Sequence, residues 1–126
     1  MEQGYLIDTN TAIDYLDNKL PGNSADLIDS ITTQISVITR MELLGWPNAT
    51  DSQLQVLQQF VDASEVYNLD EPVIVKAIEL RKAYKTKLPD AIIAATALVY
   101  DLVLVTRNTA DFKTIPNLKT IDPHKV

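Results

Sequence analysis

The chain has 126 residues, 46% of them hydrophobic, which suits one domain spanning 1–126 with a real core and argues against a second. It contains no cysteine, so a disulfide framework, a zinc–thiolate site and a catalytic thiol are excluded. The net charge of −6 argues against a phosphate-rich partner, but residues 1–63 carry nine acids and two bases while residues 64–126 carry eight acids and nine bases. Met1-Glu2-Gln3-Gly4 lacks the basic start of a secretory leader, and the longest mostly apolar stretch, Ala91 to Tyr100, is half the roughly 20 residues that span a bilayer. A cytoplasmic location without membrane contact is the expectation.

In chain order, Tyr5-Leu6-Ile7 reads as a short buried strand ending at Asp8. A helix follows from about Thr11 to Asp17, broken by Pro21-Gly22-Asn23, and Ser24 is placed to cap a second helix carrying Leu27, Ile28 and Ile31. Ile35-Ser36-Val37-Ile38 reads as a strand, and Thr39 as the cap of a helix from Arg40 with Glu42 at capping-box spacing. Asp51 to Val61 is helical, Ser64 to Leu69 a strand, and Pro72 opens a helix with Val73, Ala77, Leu80 and Tyr84 on one face. The helix from Asp90 to about Tyr100 is apolar nearly all round and should be buried. Leu102 to Thr106 is continuously apolar like a central parallel strand, and Lys119-Thr120-Ile121 is a weak last strand. Strands alternating with helices predict an α/β fold, a three-layer α/β/α sandwich around a parallel sheet. Sites in such sheets form at the strands' carboxyl ends where strand order reverses, so Asp8, Thr106 and Asp111 meet there if the first and fourth strands are neighbours.

Four carboxylates stand in contexts that suit a metal site: Asp8, Glu42, Asp90 and Asp111. Each also has a plain structural role: Asp8 as a helix N-cap, Glu42 in a capping box, Asp90 at the start of a helix after Pro89, Asp111 in a turn. Brought together, four such charges require a cation. Hard oxygen donors suit Mg²⁺ or Mn²⁺, which orient water and stabilise charge on a phosphate. Lys76, Arg81, Lys82, Lys85 and Lys87 form a basic cluster that can be a basic face beside an acidic site, or can simply be a solvated helix face paired through Glu79. The single histidine, His124, reads as a solvated tail residue rather than a base. There is no nucleophile elbow and no glycine-rich phosphate loop.

Taken together, Leu6-Ile7-Asp8-Thr9-Asn10, Met41-Glu42-Leu43, Leu88-Pro89-Asp90-Ala91-Ile92-Ile93-Ala94-Ala95-Thr96-Ala97 and Leu104-Val105-Thr106-Arg107-Asn108-Thr109-Ala110-Asp111-Phe112 occur in an order that resembles the PIN-domain family, and within it the VapC-like toxin ribonucleases of type II toxin–antitoxin systems. The resemblance covers essentially the whole chain. It implies a sheet of order 3-2-1-4-5, an acidic metal site of Asp8, Glu42, Asp90 and Asp111, and supporting roles for Asn10, Thr106 and Asn108. It further implies Mg²⁺- or Mn²⁺-dependent hydrolysis of RNA phosphodiesters, with structured RNA such as transfer RNA as the commonest substrate class. A homodimer and a cognate VapB-like antitoxin, whose C-terminal segment blocks the site, complete the implied picture. The alternative is a non-catalytic PIN-like module that binds RNA or protein. A haloacid-dehalogenase-type phosphatase would need a second aspartate where Asn10 stands, and a receiver domain an early acidic pair that Glu2 and Asp8 are too far apart to form.

Overall fold

The computed structural model describes residues 3–125. Five parallel strands, β1 (Gly4–Ile7), β2 (Gln34–Ser36), β3 (Glu65–Tyr67), β4 (Leu102–Val105) and β5 (Thr120–Ile121), line up in the order β3-β2-β1-β4-β5. β1 is central and pairs with β4 along its whole length, from Gly4 opposite Leu102 to Ile7 opposite Val105. The order reverses between these two strands, as the resemblance implies, and this meets the condition that the sequence pattern left open.

Alternation along the strands feeds two cores. Leu6 and Leu104 pack with α5 (Glu71–Tyr84), α6 (Leu88–Val99) and Phe112 on one face of the sheet. Ile7 and Val105 pack with α1 (Thr9–Leu16), α2 (Gly22–Ser30), α3 (Val37–Leu44) and α4 (Asp51–Ala63) on the other. The apolar helix behaves as expected: every residue from Ala91 to Ala97 is buried. α5 and α6 form an antiparallel pair, closed at one end by Lys85, which turns the chain in a left-handed conformation, and at the other by a hydrogen bond from the Tyr100 hydroxyl to Asp70. Among the described residues no helix is long and apolar enough to cross a membrane.

Several boundaries differ from the sequence reading, each for a local reason. α1 begins at Thr9, because Asp8 caps it by accepting the Thr9 N–H at 2.8 Å. The break before α2 falls at residues 17–21, so Gly22 and Asn23 are helical. Ser24 lies inside α2 and is no cap; its hydroxyl donates to the Pro123 carbonyl at 2.5 Å. The largest difference is in α3. Its cap is Ser36, whose Oγ accepts the Ile38 N–H at 3.1 Å, so the helix starts at Val37 and Thr39 is a buried residue within it. Tyr84 is exposed rather than buried with Val73, Ala77 and Leu80. Asp111 lies in a four-residue helix, α7 (Thr109–Phe112), where a turn was expected.

Candidate active site

The carboxyl ends of β1 and β4 build the site. Their pairing continues one step beyond the strands, since the Asp8 N–H donates to the Val105 carbonyl at 3.0 Å, and the Thr106 N–H donates to Ile121 at 2.9 Å. Asp8 is buried, and its two oxygens are divided between tasks. Oδ1 accepts the Thr9 N–H as the helix cap. Oδ2 accepts the Thr106 hydroxyl at 2.8 Å and the Asn10 amide nitrogen at 3.2 Å. Capping occupies Oδ1, so the cap does not exclude a further role for this carboxylate.

Glu42 comes from α3. With the helix beginning at Val37, it lies in the second turn, too far along to serve in a capping box. It stands one turn after Thr39, where residues three apart share a face. The Thr9 hydroxyl donates to Glu42 Oε1 at 2.6 Å and lies 3.0 Å from the buried Thr39 hydroxyl. Thr9 and Thr39 thus tie the acid on α3 to the end of β1. The sequence reading assigned neither residue to the site, although the placement of Thr9 between Asp8 and Asn10 was the available signal.

Asp90 is the third residue of α6, half-buried where the helix dipole favours a negative charge. Asp111 is exposed on α7. Burial pushes the Asp90 carboxyl above its ordinary value, followed by the negative charges of Asp8, Asp111 and Glu42, with Lys87 opposing. Asp90 is therefore within electrostatic range of all three other acids. Asp8 is raised too, first by burial and then by Glu42, against the lowering effect of its donors Thr106, Thr9 and Asn10. Asn108 is exposed, and its backbone N–H donates to Thr106 Oγ1 at 3.1 Å.

The donor set consists of carboxylate oxygens, which suit Mg²⁺ or Mn²⁺ rather than a soft metal. Among the described residues no three acidic or histidine side chains stand close enough to ligate one ion directly. Acids that influence one another without converging on one point fit an ion that keeps several of its own waters, as Mg²⁺ does.

The basic cluster divides. Lys87, exposed at the N-cap of α6, is close enough for its charge to act on Asp90. Lys85 turns the chain just before it, and Arg81 and Lys82 are exposed in the last turn of α5. Lys76 lies further back on α5 in an ion pair with Glu79 at 3.0 Å. His124 is not a free tail residue: its Nε2 stands 2.8 Å from Asp14 Oδ2.

Comparison with known proteins agrees with this architecture. A model of the PIN domain matches residues 5–118. The chain is 30% identical to the tRNA(fMet)-specific endonuclease VapC of Salmonella typhimurium, over 94% of this chain and 96% of that protein. Among solved structures it resembles a toxin-antitoxin complex from Klebsiella pneumoniae, with a TM-score of 0.76, 33% identity, and 98% and 100% of the two chains covered. It likewise resembles DNA-bound VapBC from Salmonella typhimurium, with a TM-score of 0.81, 30% identity, and 96% and 98% covered. The chain belongs to the PIN domain family, among its VapC-like toxin endonucleases.

Proposed function

We propose that the protein is a metal-dependent endoribonuclease, the toxin of a toxin–antitoxin pair, and that Asp8, Glu42, Asp90 and Asp111 are its catalytic acids. The observation that carries this reading is Asp90: a half-buried carboxylate whose charge is opposed by three other acids drawn from separate elements. Such an arrangement is costly unless a cation occupies the gap. A bound Mg²⁺ or Mn²⁺ would supply positive charge for the phosphate and the leaving oxygen, and an oriented water. Asp8 is held for this task by Thr106 and Asn10, and Glu42 by Thr9. Asn108 supports the same loop through its backbone. Lys87, with Lys85, Arg81 and Lys82 behind it, is placed to draw an RNA backbone toward the acids, and Lys76, paired with Glu79, has the smallest part.

On this reading one domain accounts for residues 1–126 and works in the cytoplasm. Structured RNA such as transfer RNA is the substrate class, supported by the printed specificity of the Salmonella relative. A VapB-like antitoxin is the expected partner, supported by the complexes in which the structural neighbours were solved, and a homodimer is the expected assembly.

The test is incubation of the purified, antitoxin-free protein with total cellular RNA, in Mg²⁺, in Mn²⁺ and in chelator, beside an Asp8→Asn/Asp90→Asn control. Discrete cleavage that needs metal and is absent from the control supports the enzyme and its site together. No cleavage under any metal, from folded protein, favours the non-catalytic PIN-like binding module.

A further inference from the structure

Asp14 is buried to 4% exposure on α1, yet it belongs to none of the acids assigned above. It has two partners, both remote in sequence. Arg107 Nη1 donates to its oxygens at 3.0 and 3.2 Å, and His124 Nε2 stands at 2.8 Å. The last segment of the chain is closed over this point, with Pro123 buried and its carbonyl accepting the Ser24 hydroxyl. A buried ion pair is rarely a better source of stability than well-packed apolar residues, so its location is the informative feature.

Arg107 sits between Thr106, which donates to Asp8, and Asn108. Its backbone N–H donates to Asn10 Oδ1 at 3.2 Å. With its oxygen accepting the Arg107 N–H, the Asn10 carboxamide turns its NH₂ group toward Asp8, where the nitrogen donates to Oδ2. Asn10 and Asp14 are four apart and share one face of α1. A single helix face therefore grips Arg107 twice, once by its backbone and once by its guanidinium.

We propose that Asp14 is a positioning residue of the acidic site: by clamping Arg107 it fixes the segment Thr106–Asn108, and with it the two side-chain donors that orient Asp8. The proposal rests on the nuclease reading for its catalytic consequence, but its structural half stands apart from that reading. Outer partners of this kind change activity by roughly 10–100-fold when removed.

The experiment is amide hydrogen exchange together with RNA cleavage kinetics on Asp14→Asn. The Leu104 amide, which donates to Lys119 across the sheet and lies outside the clamped segment, reports that the fold is intact. The expected result is at least about tenfold loss of protection at the Arg107 amide, with kcat lowered about tenfold and KM for RNA within about twofold. Unchanged Arg107 protection in the folded variant overturns the clamp, and lost protection with unchanged kcat overturns its catalytic consequence. If Asp14→Asn does not fold, Arg107→Gln carries the same readouts, and Arg107→Lys should recover part of the protection. Absence of cleavage by the wild-type protein overturns the nuclease reading, while the exchange measurement still decides the clamp.

Discussion

Asp8 and Asp14 are six positions apart, one capping a helix and the other in its second turn, and almost equally buried, at 6% and 4% exposure, yet their charges are balanced in opposite ways. Asp14 meets a guanidinium and an imidazole and is satisfied within the chain. Asp8 meets only neutral donors, and its nearest charged influence is another acid, Glu42. Burial of a carboxylate therefore does not by itself mark a metal site. The mark is a buried carboxylate that the chain orients with hydrogen bonds while leaving its charge uncompensated, and Asp90 extends that imbalance to four acids.

The strongest way to break the contrast is to remove charge from the uncompensated side. Asp90→Asn should reduce RNA cleavage by more than about a hundredfold, since partners one step removed from a metal already cost roughly 10–100-fold. The fold should survive, because the side chain is only half-buried and, among the described residues, accepts no hydrogen bond that secures an element. Gel-resolved cleavage in Mg²⁺ beside a circular-dichroism melt checks both; retained activity in metal-controlled buffer removes Asp90 from the site.

On the compensated side the larger effect should fall on stability. Arg107→Ala leaves Asp14 buried with His124 as its remaining partner. Breaking a fully buried pair costs about 3–5 kcal/mol, and the half-exposed guanidinium places this one lower, near 2–3 kcal/mol. Urea unfolding at constant slope reads it directly, and a loss below about 0.5 kcal/mol would make the pair an ordinary surface contact.

The two aspartates were also unequally legible in the sequence. Asp8 follows an apolar strand and precedes Thr9-Asn10, a local pattern visible without a structure. Asp14 reads as one more polar residue on an amphipathic helix, because its partners lie 93 and 110 positions away. β4 and α6 were plain for a similar reason, since a continuous apolar run means the same in any context. α3 was misplaced because Ile35, Val37 and Ile38 share β-branched preference, while the boundary is set by one hydroxyl, Ser36, inside that run. The misplacement hid the Thr9–Glu42 contact, which depends on where the helix begins.

That contact gives the next sharpening of the comparison. Thr9→Val keeps shape and removes the hydroxyl that holds Glu42. Cleavage should fall about tenfold, at the low end for an outer partner, with a higher Mg²⁺ concentration needed for half-maximal rate. An unchanged metal dependence would mean that Glu42 needs no help from β1.

The smallest effect isolates the electrostatics from the chemistry. In chelator, Asp8 and Asp90 both have carboxyls raised above the ordinary value of 3.8, mainly by burial. The native chain then holds these protons more tightly than the unfolded chain does. Stability falls as pH rises from the ordinary carboxylate value through the raised ones. Asp90→Asn removes one of the opposed charges, so without metal the variant should melt a few degrees above wild type at neutral pH. The gap should close below about pH 4, where the carboxyls are protonated. Adding Mg²⁺ should raise the wild-type melting temperature more than the variant's, because a ligand stabilises the state that binds it. A variant that melts no higher than wild type in chelator would show that the acids do not oppose one another enough to need a cation, and the Asp8 side of the contrast would lose its physical basis even if cleavage were lost.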